Sequence, residues 1–156
     1  MQRDAYLTAA YLGVIAGMRT MAAPAFVSDY LIRMRPEEFE DSRLSFMGSG
    51  AASALLRLSA ASEMAADKSS SMPDRISPGP LAARIISGSL CGASICVAEK
   101  KRVEIGAMVG GLAAAVSAFA FFHMRRKLTE SEGIPDGTIA LCEDAAVIAA
   151  GMVVLR

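Results

Sequence analysis

The sequence predicts an all-α, polytopic helical membrane protein with four to five transmembrane helices, Gly/Ala-rich packing and one broken or re-entrant helix. Hydrophobic residues make up 53% of the 156-residue chain, and its mean hydropathy is +0.39. The apolar residues form blocks of roughly 18 to 25 residues, which can cross a bilayer as helices. Small residues recur at four-residue spacing, as at Gly88 and Gly92, and this spacing lets helix backbones approach closely in lipid.

Length, charge and cysteine placement narrow the possible function classes. A chain of this length predicts one integral membrane domain over residues 1–156. Sixteen basic and sixteen acidic residues give zero net charge, so nucleic acid is not an expected partner. The three cysteines lie in apolar blocks without metal-ligand spacing, and we interpret them as buried small hydrophobes. No Ser/His/Asp set or Gly-rich phosphate loop is present, so we predict no catalytic residues and no cofactor.

The first apolar block, residues 5–32, is longer than one bilayer crossing requires. It contains Pro24, which removes a backbone donor and clashes with the preceding turn. This proline predicts a kinked or broken helix. The charged segment that follows, residues 33–43, is interpreted as a solvated loop.

The second block, residues 46–68, is a weaker candidate for a span because it carries Arg57 and Glu63. It predicts a helix that spans fully, enters partway, or lies against other helices. The following stretch, residues 69–80, is rich in Ser and Pro and cannot continue a helix.

Three further blocks predict helices that cross the membrane. They cover residues 81–98, 105–124 and 138–155. The middle one, "IGAMVGGLAAAVSAFAFFHM", is the clearest span and stops at a basic cluster. With the first block, these make four good spans, and the second block is the possible fifth.

The basic residues that flank the blocks favour no orientation. If all five blocks cross, seven Lys and Arg residues fall on one side and six on the other, counted from the sequence. Two interpretations are open. The chain inserts both ways and pairs as an antiparallel homodimer, or the number of crossings is wrong because a block such as 46–68 does not cross.

Ionisable residues inside the apolar blocks are the candidate functional residues. An ionisable residue well inside a span costs at least about 2.5 to 3.5 kcal/mol, so each needs a partner, water or a function. The members of this set are Arg19, Arg57, Glu63, Arg84, Glu143 and Asp144.

Two acids near the end of the second block predict a site for a cation or proton. Glu63 and Asp67 are four residues apart, so both carboxylates share one face of a helix. Oxygen ligands suit a hard cation, and two close acids can share a proton. Lys68 is an expected counter-ion beside them. The pattern does not say which metal, if any, would bind.

The last block offers a second pair of acids. Glu143 and Asp144 are adjacent, so they point about 100° apart on a helix and at most one can face the cavity of Glu63. We expect Glu143 to do so, because the small Ala140 shares its face. Arg19 is expected to be the counter-ion of this acidic cluster.

Other interpretations come from the arginines and from charge balance. Arg75 and Arg84 lie near the start of the third block, where free backbone donors and guanidinium groups would suit a phosphate or lipid headgroup. Binding, translocation or processing of a phosphorylated lipid is therefore an alternative, with Glu63 or Asp67 as base if chemistry occurs. In a second alternative, three basic and three acidic residues neutralise one another in a scaffold that transports nothing.

Three motifs carry a resemblance to a known family. In order, they are "GVIAGMRTMAAPA", "EMAADKSSSMPDRISPGPLAARIISGSLCGA" and "IPDGTIALCEDAAVIAAG". They resemble the bacterial membrane family labelled domain of unknown function 4126, over about residues 10 to 152. The resemblance implies a small integral membrane protein of the bacterial inner membrane and adds no established activity. The residues that match the family's pattern are Arg19, Pro24, Glu63, Asp67, Lys68, Arg75, Arg84, Asp136, Glu143 and Asp144.

Overall fold

The structure, a computed structural model, describes residues 4–34, 37–66, 76–131 and 133–155. Over these residues the regular elements are helices and no strand is present, which confirms the all-α prediction. The elements are α1 (Ala5–Met18), α2 (Ala22–Met34), the short α3 (Glu37–Glu40), a 3₁₀ turn (Ser45–Gly48), α4 (Gly50–Ala66), α5 (Pro78–Ala98), α6 (Val103–Ser131) and α7 (Asp136–Val154).

The first apolar block folds as a helical hairpin. α1 ends at Met18 and α2 begins at Ala22, so the break lies ahead of Pro24. Pro24 is the third residue of α2, where a helix does not need the missing backbone donor. Tyr30, near the end of α2, lines one small cavity together with Ala5 from the start of α1. The chain therefore turns back, and α2 runs alongside α1.

Three helices pack closely through glycines. A Cβ on Gly13 of α1 or on Gly88 of α5 would collide with the carbonyl oxygen of Gly110 in α6. A Cβ on Gly92 would collide in the same way with the carbonyl oxygen of Gly106. The two pairings show that α5 and α6 run antiparallel. Without these glycines the backbones could not approach so closely.

The described part of the chain contains fewer candidate membrane spans than the predicted four to five. Three helices are long and apolar enough: Pro78–Ala98, Val103–Glu130 and Gly137–Val154. The 14-residue α1 rises only about 21 Å at 1.5 Å per residue, less than the ~30 Å hydrocarbon core of a bilayer. α4 has 17 residues and contains Arg57 and Glu63. The predicted count is thus not confirmed.

The turn of the hairpin lies among the middle parts of other helices. Ser117, at the centre of α6, donates a hydrogen bond from Oγ to the carbonyl oxygen of Val14, 3.2 Å away. Asp144, near the middle of α7, contacts Arg19 directly after α1. α7 continues toward the open end of the hairpin, where Leu155 lines the same small cavity as Tyr30.

Candidate functional site

The candidate site is the hairpin tip, which we define as Arg19, Thr20 and Met21. A helix end leaves carbonyl oxygens or amide groups without partners inside the helix. At the tip, the C-terminal carbonyls of α1 and the N-terminal amides of α2 come together. Arg19 and Thr20 are both buried, so these polar groups need partners from the protein.

Glu63 of α4 caps the N-terminus of α2. Its Oε1 accepts a hydrogen bond from the backbone N–H of Thr20, and its Oε2 accepts one from that of Met21, each at 2.8 Å. A carboxylate held by two amides at a helix N-terminus is stabilised by hydrogen bonds and by the helix dipole. The sequence-predicted acid Glu63 therefore lies at the tip, where it binds backbone amides of the hairpin.

Arg84 of α5 caps the C-terminus of α1. Its Nη1 donates to the carbonyl oxygens of Gly17 and Met18, at 2.9 and 3.1 Å. A cation at a helix C-terminus is the favourable counterpart of an anion at an N-terminus. Arg84 is 6% exposed, and nothing in the structure tests its predicted role in phosphate binding. One turn along α5, Ser87 donates from Oγ to the carbonyl oxygen of Thr20 at 2.5 Å.

Arg19 makes a buried ion pair with α7. Its Nε donates to Oδ1 of Asp144 at 2.8 Å, and Arg19 is 1% exposed. Arg19 was expected to be the counter-ion of a cluster formed by Glu63, Asp67 and Glu143, and its ion pair in the structure is with Asp144. Of the two acids in the last block, Asp144 makes this contact with the tip.

Glu143 faces another helix. Its Oε2 lies 3.7 Å from Nη1 of Arg125 in α6, and Glu143 is 3% exposed. The adjacent acids diverge on α7 as expected, with Asp144 directed to the tip and Glu143 to α6. Among the residues that the structure describes, no group of three His, Cys, Asp or Glu is placed to hold a metal ion.

A further polar cluster joins α2 to α4 below the tip. Asp29 accepts hydrogen bonds at Oδ1 from Oγ of Ser53 at 2.5 Å and from Nε of Arg57 at 2.9 Å. Arg57, a charge that the sequence placed inside the second block, thus has its partner on the hairpin. Glu63 and this cluster therefore connect α4 to the hairpin at two places, the tip and Asp29 of α2.

Some predicted site residues lie outside the described residues, and some residues that contact the tip or a predicted acid were not predicted. Asp67, Lys68 and Arg75 belong to the first group. Ser87 and Arg125 belong to the second. A serine in an apolar block carries no distinctive signal. Arg125 was assigned to the basic end of a span, but α6 continues beyond it to Ser131.

No family model matches the chain, and no curated protein or solved structure is significantly similar to it.

Proposed function

We propose that this chain is a small helical transporter or channel of the bacterial inner membrane, with an intramembrane site for a cation or proton at the hairpin tip. The observation that carries the proposal is that two helix ends meet inside the bundle. Charged side chains from other helices form hydrogen bonds with the backbone at both ends. Discontinuous helices with charged groups at the break build binding sites in many transporters, because half-helix ends supply partial charges.

Glu63 is the proposed ion-binding group. Its two oxygens hold the amides of Thr20 and Met21. A proton or cation at this carboxylate would compete with those amides for the same oxygens. Binding would therefore loosen α4 from the start of α2. This competition supplies a physical link between occupancy of the site and movement of the hairpin.

Arg19 and Asp144 would keep the other side of the tip electrically neutral. Their buried ion pair joins the tip to α7, and Arg84 joins it to α5. Glu63 and Asp144 together balance the charges of Arg19 and Arg84. A bound cation would then leave one positive charge in excess, which favours its release or exchange for a proton.

The proposal is tested by ion flux in proteoliposomes with Glu63→Gln. We would measure proton flux with a trapped pH-sensitive dye and sodium flux with a sodium-sensitive dye. Glutamine keeps the size of the side chain but cannot bind a proton, so we expect at least about a tenfold loss of flux. The matched control is Glu130→Gln, since Glu130 forms an exposed ion pair with Arg126 on α6.

Two outcomes would contradict the proposal. One is equal flux from the Glu63→Gln variant and the unmutated protein. The other is no flux above that of empty liposomes from the unmutated protein, which would favour the scaffold interpretation.

Two further proposals rest on the sequence. The three motifs support membership of the family labelled domain of unknown function 4126, and the balance of flanking charges supports an antiparallel homodimer.

A further inference from the structure

A cavity of about 300 Å³ lies between α6 and α7, beside the end of α1. Its walls are almost entirely apolar and include Met18, Phe121, Met124 and Ile139. Ligand pockets begin at about this volume and are lined mainly by hydrophobic and aromatic side chains. The cavity opens to the surface between these two helices.

The one charged residue among the described residues that line this cavity is Glu143. It is 97% buried, since its relative exposure is 3%. Its Oε2 lies 3.7 Å from Nη1 of Arg125, and a cation bound in the cavity would share the carboxylate with that arginine. Arg125 itself does not line the cavity.

We propose that this cavity binds a lipophilic organic cation. The apolar walls would contact the hydrocarbon groups of the ligand, and Glu143 would attract its charge in surroundings of low dielectric constant. Phe121 adds a ring face that favours a cation. Met18 and Met124 have flexible thioether side chains that adapt to ligands of different shape. A lipid acyl chain would contact the same walls but would gain nothing from the carboxylate, so removal of the charge distinguishes the two occupants.

The site is separate from the hairpin tip, and its occupancy can be measured without any transport. The probe is tetraphenylphosphonium, measured by equilibrium dialysis against the full chain in nanodiscs of zwitterionic lipid, with empty nanodiscs as the blank. Tetraphenylborate has the same shape and the opposite charge, so it reports the contribution of charge. We expect saturable binding of the cation at one site per chain and no saturable binding of the anion.

Two variants locate the binding site. Glu143→Gln removes the charge and should weaken tetraphenylphosphonium binding at least tenfold. Ala146→Leu places a larger side chain on the cavity wall without a change of charge, and should weaken it by a similar factor. Glu130→Gln, on the exposed part of α6, should bind as the unmutated protein does.

The proposal is overturned if both cavity variants bind the cation like the unmutated protein, or if the chain binds neither ion above the blank. It is also overturned if Ala146→Leu weakens the binding of tetraphenylborate and not that of tetraphenylphosphonium, since the cavity would then select negative charge. If Glu143→Gln does not yield folded protein, the Ala146→Leu variant and the comparison of the two ions decide between these outcomes.

Discussion

Replacement of Asp144 by asparagine tests whether the buried ion pair holds α7 to the hairpin tip. Asp144 accepts the 2.8 Å hydrogen bond from Nε of Arg19, and the two side chains are 13% and 2% exposed. The variant keeps the shape of the side chain but removes the negative charge that compensates the guanidinium. Loss of one partner of a buried ion pair costs about 3 to 5 kcal/mol, because a buried charge remains uncompensated.

We expect the lower end of this range, about 3 kcal/mol, because Asp144 retains partial access to the surface. That free energy lowers the ratio of folded to unfolded protein roughly 100-fold. The assay is equilibrium unfolding in mixed detergent micelles, with helix content followed by circular dichroism. Glu130→Gln, which breaks a pair whose side chains are more than 60% exposed, should cost less than about 1 kcal/mol.

The double variant Arg19→Met/Asp144→Leu separates the charge from the shape of the contact. Hydrophobic replacement of a whole buried ion pair is often neutral or stabilising, so the double variant should be more stable than Asp144→Asn alone. A free energy of unfolding for Asp144→Asn within about 0.5 kcal/mol of the unmutated protein would refute the reasoning. It would mean that the pair contributes little to the docking of α7.

Two other predictions concern packing and thiol access. Gly110→Ala should destabilise the protein by about 1 to 3 kcal/mol in the same unfolding assay, because the added Cβ collides with the carbonyl oxygen of Gly88. Gly79→Ala has nothing within 4 Å and should be neutral or stabilising, and an equal cost at both positions would contradict the packing account. In detergent micelles, N-ethylmaleimide should modify Cys142, which is exposed on α7, faster than the two buried cysteines of α5. Mass spectrometry measures this, and early modification of α5 would contradict it.

The last three helices were predictable from composition and block length. Their observed ranges agree with the apolar blocks at most ends, because a long apolar run with few charges has few alternatives to a helix. The main difference is the end of α6, which continues past the apolar residues to Ser131. Beyond the predicted end, Arg126 and Glu130 form an i,i+4 ion pair at 2.9 Å that favours helix continuation.

The position of the hairpin turn was not predictable from local sequence. The proline rule pointed to Pro24, but proline is compatible with the first turn of a helix. The observed break depends on Glu63 and Arg84, which lie more than forty residues away along the chain. No pattern near residues 19–21 shows which distant side chains will cap the two helix ends.

The hairpin also changes the assignment of basic residues to the two ends of the bundle. The predicted balance assumed that the first block crosses, but α2 returns to the end where α1 begins. Of the described basic residues at helix ends and in loops, Arg33, Arg43, Lys100, Lys101 and Arg102 lie at the open end of the hairpin. Arg125, Arg126 and Lys127 lie toward the other end. Among these described residues five basic side chains lie at one end and three at the other, and the orientation of the chain and the antiparallel homodimer stay predictions.

The adjacent acids of α7 connect the two proposed sites. Asp144 contacts the hairpin tip through Arg19, while Glu143 lines the cavity between α6 and α7. The backbone of one helix carries both carboxylates, and their side chains point about 100° apart. A movement of α7 as a rigid body would therefore displace the cavity wall and the ion pair at the tip together. In the proposed transport, α7 is the element through which the two sites could be coupled.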